Sequence, residues 1–190
     1  MADFTIAYKI TILGNEGGYN PGVGEKETYR GIDRGANPQW SGWPIIDDLK
    51  RNNPNLSVGK MDILLSQNIA LQANIEKFYK ANYWDTVNLD SVTDQQLANN
   101  LFDCSVNQGK GRAQRFMQIA CNYVITSQKS TIKPLVIDGQ IGQATLLAFN
   151  SLSPTMLNAE INLEREASYR TDAGYTEWAK VWAKRLIPYT

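Results

Sequence analysis

A mainly α-helical fold with one small loop or β-hairpin near the N-terminus is what this sequence predicts, on three observations. Apolar residues recur at helical spacing through most of the 190 residues. Turn-forming Pro21, Gly22 and Gly24 precede Thr28 to Ile32, the only stretch expected to be strand-like. Histidine is absent and the cysteines number two, so neither zinc nor a disulfide framework is expected to hold the chain.

The elements follow in order. Phe4, Ala7, Tyr8, Thr11 and Ile12 share a helical stripe, and the helix is expected to stop where Gly17 and Gly18 take left-handed dihedrals, leaving Glu16 as its last side chain. Pro44 suits the first turn of a short helix, Ile45 to Arg51. From Lys60 to about Ala81, Met61 through Phe78 supply the apolar residues of one helix or a broken pair ending in Asn82-Tyr83-Trp84-Asp85. Thr93 with Gln96 makes a capping box for a helix through Leu97, Leu101, Phe102 and Val106, expected to be central. Glycines 109 and 111 separate it from a helix running from Arg112 through Val124. Further helices are expected over 141–149, after Ser153-Pro154, and around Trp178, Val181, Trp182 and Leu186. The polar break after Thr126 is the best boundary, giving residues 1–126 and 127–190, packed as one compact unit.

Composition excludes several chemistries. Without histidine there is no Ser-His-Asp or Cys-His catalysis, and no metal or other cofactor is expected. Cys104 and Cys121 lie in helical segments without metal-ligand spacing and read as small buried residues. No stretch approaches the roughly 20 apolar residues of a membrane span, and MADFTIAYKI lacks the apolar core of a signal peptide, so neither membrane insertion nor export by its own signal is expected. Residues 1–109 carry 9 Lys or Arg against 13 Asp or Glu, and the remainder is correspondingly basic. That part could favour an anionic polymer such as the cell wall, but the excess is small and a solvated face explains it as well; no nucleic-acid partner is expected. Gly109-Lys110-Gly111 lacks P-loop spacing, and the S-x-x-K matches at Ser57 and Ser130 come without the companion motifs of serine–lysine enzymes.

What remains is carboxylate chemistry. The carbonyl end of a helix carries partial negative charge and disfavours an ionised carboxylate beside it, which suits an acid that must hold its proton. Glu16 occupies that position, and Glu25, Glu27 and Asp33 follow in and after the glycine-rich loop. A glutamic acid still protonated near neutral pH can act as a general acid.

Asn15-Glu16-Gly17-Gly18-Tyr19 and Thr28-Tyr29-Arg30-Gly31-Ile32, followed in order by Tyr83-Trp84-Asp85, Leu101-Phe102-Asp103, Val106-Asn107-Gln108-Gly109 and Asp138-Gly139-Gln140-Ile141-Gly142, resemble the landmarks of glycoside hydrolase family 108. These are the N-acetylmuramidases of phage endolysins and some bacterial proteins. The resemblance implies a lysozyme-like helical fold, peptidoglycan glycan strands as substrate, and Glu16 as the catalytic acid. Glu27 and Glu25 are the candidates for the second group, with Asp33 behind them. Relatives often carry aspartates in the loop after EGGY, and Asn20 to Gly24 here has none. Thr28 resembles the threonine that positions water in phage-type lysozymes. Tyr19, Tyr29, Trp84 and Asn107 are expected to contact substrate, Trp84 by stacking on a pyranose ring. The Asp138 segment corresponds to one described as peptidoglycan-binding-like. The resemblance further implies action at the cell wall, with delivery by a holin or secretion system, and the competing reading is a non-catalytic, secretion-associated glycan binder.

Overall fold

A computed structural model describes residues 1–22 and 26–186 and shows two compact units, one of residues 8–82 and one of residues 1–7 with the chain from 83 onward. The fold is mostly helical with one three-stranded antiparallel sheet, the lysozyme-like class.

The smaller unit follows from the first helix. α1 (Phe4–Tyr8) continues as a π-helical turn over Lys9–Leu13, and the Glu16 N–H donates to the Ile12 carbonyl at 3.2 Å, the last bond of that run. Gly17 and Gly18 do not adopt the expected positive φ. Gly18 is required for space: a Cβ there would stand 2.6 Å from the Asp62 carboxylate, which accepts the Tyr19 N–H at 2.8 Å.

The sheet runs β1 (Tyr19–Asn20), β2 (Thr28–Tyr29), β3 (Ile32–Asp33), with Tyr29 opposite both Tyr19 and Ile32. Arg30 and Gly31, at φ 49° and 76°, form the two-residue turn between β2 and β3. Positive φ at both central positions is the turn whose twist suits an antiparallel hairpin. Tyr29 and Ile32 are buried, as are Trp43, Ile46, Met61, Leu65, Leu71 and Ile75 of the same unit. α2 (Trp43–Asn52) has Pro44 in its first turn, as expected. The broken pair resolves as α3 (Val58–Gln67) and α4 (Ile69–Tyr79), and Asn68 divides them by accepting the Leu71 N–H on its side chain.

The larger unit is built around α5 (Gln95–Asn107), which is buried continuously from Leu97 to Ser105. Its cap is Asp94 and not Thr93: the Asp94 carboxylate accepts the Leu97 N–H at 2.9 Å. α6 (Lys110–Ser127) and α8 (Pro154–Arg170) pack on α5 and on each other, and α7 (Gln143–Ser151) on α6. Residues 127–186 thus share a unit with residues 83–126. Phe4, Trp84 and Phe102 meet edge-to-face at 5.5 to 5.8 Å between centroids.

Buried polar groups tie the helices together. Arg165 on α8 pairs with Asp103 on α5, whose other oxygen takes Arg185 of α9 (Tyr175–Leu186) at 2.9 Å. The Asn100 side chain donates to Asn158 and Asn162 of α8. Trp182 stacks on Tyr169 at 4.9 Å, whereas Trp178 and Val181 of the same helix remain about half exposed. Both cysteines are buried and free.

Candidate active site

Glu16 is half-buried at the end of the first helical run. Its carboxylate lies against the hairpin tip: a Cβ on Gly31 would stand 2.5 Å from Glu16 Oε2 and 2.9 Å from the Tyr79 hydroxyl. That is the physical reason for glycine in the T-x-x-G-I segment. Both the positive φ and the acid's own volume exclude a side chain there. Tyr79, at the end of α4, donates its hydroxyl to the Arg30 carbonyl at 2.6 Å, so the turn is held from a helix distant in sequence.

Glu27 has a different setting. It is 3 % exposed, and its Oε1 accepts hydrogen bonds from the Tyr19 hydroxyl at 2.7 Å and Lys50 Nζ at 2.8 Å. Arg34 Nε lies 2.8 Å from Oε2 without the angle of a hydrogen bond, so that contact is an ion pair. Arg34 also pairs with Asp47 at 2.7 Å, and its guanidinium sits 4.5 Å above the Trp43 ring. A carboxylate taken out of water needs such compensation. Burial, and then the bond to Glu27, push the Tyr19 hydroxyl well above its ordinary pKa, which keeps the proton it donates.

The other expected residues separate. Thr28 is half-buried on β2, opposite Asn20 and Asp33. Glu25 lies outside the described residues. Asp33 is engaged by its own turn, accepting the Ala36 N–H at 2.7 Å. Tyr19 is 8 % exposed and borders a cavity of about 290 Å³ with Pro21, Lys50 and Pro54.

Two expected sugar contacts meet fully buried rings. Tyr29 is 0 % exposed, its hydroxyl accepting from Gln72 at 3.1 Å, and Trp84 is 0 % exposed, its indole N–H donating to Asp90 at 2.7 Å. Neither has a face for a pyranose, because the apolar contacts that fix them are those of the core. Asn107 is half-buried in the larger unit and accepts the Tyr169 hydroxyl at 2.7 Å. Gly18, Asp62 and Tyr79 were not among the expected residues. Their only trace in the sequence is a second glycine in EGGY, since the contacts that define them are long-range.

A half-buried glutamate at a helix end stands against a tight hairpin in a lysozyme-like helical fold. Residues 10–109 match the model of Glycosyl hydrolase 108, and the chain belongs to that family, whose members hydrolyse peptidoglycan. Among solved structures it is similar to that titled "Structure of Brucella abortus SagA", at 20 % identity and a TM-score of 0.63, over 98 % of this chain and 90 % of that one. No curated protein sequence matches the chain.

Proposed function

We propose that the protein is an N-acetylmuramidase that cleaves the β-1,4 bond between N-acetylmuramic acid and N-acetylglucosamine, with Glu16 as proton donor. The observation that carries this reading is the position of the Glu16 carboxylate, half-buried at a helix end and pressed against Gly31. As the glycosidic bond lengthens, Glu16 gives its proton to the departing oxygen, and charge develops on the anomeric carbon of the muramic acid.

Glu27 is a structural anchor in this scheme. Its carboxylate is engaged by Lys50, Arg34 and the Tyr19 hydroxyl. Thr28 supplies a hydroxyl on β2 that orients the attacking water. The remaining loop carboxylate, Glu25, is the candidate for the second catalytic group. Action at the cell wall, with a holin or secretion system carrying the protein across the membrane as in endolysin or prophage lysis, completes the proposal.

The test is digestion of purified peptidoglycan with mass spectrometry of borohydride-reduced products. The expected products end in reduced N-acetylmuramic acid. Products ending in reduced N-acetylglucosamine, or none at all, would overturn the bond assignment.

A further inference from the structure

We propose that Tyr79 is a positioning residue for the catalytic acid, acting through the hairpin tip; the inference rests on Glu16 being that acid. Three groups converge on one point. The position a Gly31 Cβ would occupy is 2.5 Å from Glu16 Oε2 and 2.9 Å from Tyr79 Oη, so the two side chains are no farther apart than those distances together allow. Tyr79 Oη also donates to the carbonyl of Arg30, the residue just before Gly31, at 2.6 Å.

Each partner is fixed by different means. Tyr79 is 2 % exposed at the end of α4, its ring edge-to-face with Phe78 at 5.4 Å and tilted against Tyr8 at 6.4 Å, so its hydroxyl has little freedom to move. The turn it grips has only two residues, both at positive φ, and joins β2 directly to β3. Glu16 makes the last hydrogen bond of its helical run with its own N–H, and its carboxylate, beyond that bond, stands against the turn. The hydroxyl of Tyr79 therefore sets how far the turn stands from α4, and the turn sets where the Glu16 carboxyl rests. Acid catalysis is sensitive to that placement, because the proton must travel a hydrogen-bond length to the leaving oxygen.

Tyr79→Phe keeps the ring and removes only the donor. The expected result is a fall in kcat of about 3- to 10-fold, the worth of one hydrogen bond, with KM for soluble glycan fragments unchanged. In a Glu16→Gln background the same substitution should have no further effect on the residual rate, since a group acting only through Glu16 is silent once that acid is gone. Equal loss in both backgrounds, or a change in KM without one in kcat, would overturn the positioning role. If Tyr79→Phe folds poorly, Gly31→Ala probes the same contact from the other side, and a kcat there equal to wild type would be as damaging. An active Glu16→Gln would refute the acid assignment itself. An inactive Glu16→Gln beside an unaffected Tyr79→Phe would refute only the role of Tyr79.

Discussion

Glu27 in the smaller unit and Asp103 in the larger are both carboxylates withdrawn from water, and each is met by two cations, yet the surroundings differ. The partners of Asp103 are themselves buried, Arg165 completely, and the three charges join α5, α8 and α9. The partners of Glu27 reach solvent, with side chains 26 % and 40 % exposed, and they join the hairpin region to α2. Glu16, only eleven residues before Glu27 in the chain, keeps partial access to solvent. In both units a buried carboxylate is thus matched by cations. The carboxylate proposed for the chemistry is the one at a helix end against a glycine.

That contrast can be broken most strongly at Asp103. Asp103→Ala leaves two guanidiniums without their shared anion in a dry interior, and about 3–5 kcal/mol of stability should be lost, read as a lowered denaturant midpoint. A loss below about 1 kcal/mol would mean that the cluster is far better hydrated than its burial indicates.

Glu27→Gln comes next. Because Lys50 and Arg34 reach solvent and can rehydrate, the cost should be smaller, about 1–3 kcal/mol. Any fall in kcat should be far less than that of Glu16→Gln. A loss of activity as deep as that of Glu16→Gln, with the melting temperature unmoved, would instead make Glu27 the second catalytic group.

The smallest effect concerns the thiols. Burial pushes both Cys104 and Cys121 up to about 12, so in the native state they stay protonated and closed to reagent. The sign is that of an acid whose folded pKa is raised. Its contribution to stability is full below the unfolded value of 9.0 and is lost as pH rises toward about 12. Neither thiol should react with a disulfide reagent at about pH 8 until denaturant is added. Fast labelling of the native protein would show that the interior around α5 and α6 opens readily.

The helices were legible because their stripes are local. Asn68, Asp94 and Ser153 begin theirs with side-chain caps, although at the fifth helix the cap is one residue beyond Thr93. The place of Glu16 at the end of its helical run was legible for the same reason, as a carboxylate at the end of a stripe beside two glycines. The function of Gly31 was not. Its neighbour Tyr79 holds the turn across a separation of 49 residues, and no period or cap connects them. Glu27 read as a candidate for the second catalytic group, and its bond to Lys50, one of its two cations, was not legible because Lys50 lies 23 residues away on another element. Trp84 read as a sugar platform because the sequence does not show Phe4 and Phe102 closing over its ring. Isolated positions in a motif carry identity, and long-range packing decides which of them face substrate.

The central claim is that Glu16 delivers the proton, and the rate of peptidoglycan solubilisation by Glu16→Gln tests it most directly when melting temperature and co-sedimentation with peptidoglycan are measured on the same preparation. The account predicts a rate about 10²–10⁴-fold below wild type, with folding and binding unchanged. A folded, binding-competent Glu16→Gln that turned over at the wild-type rate would contradict it.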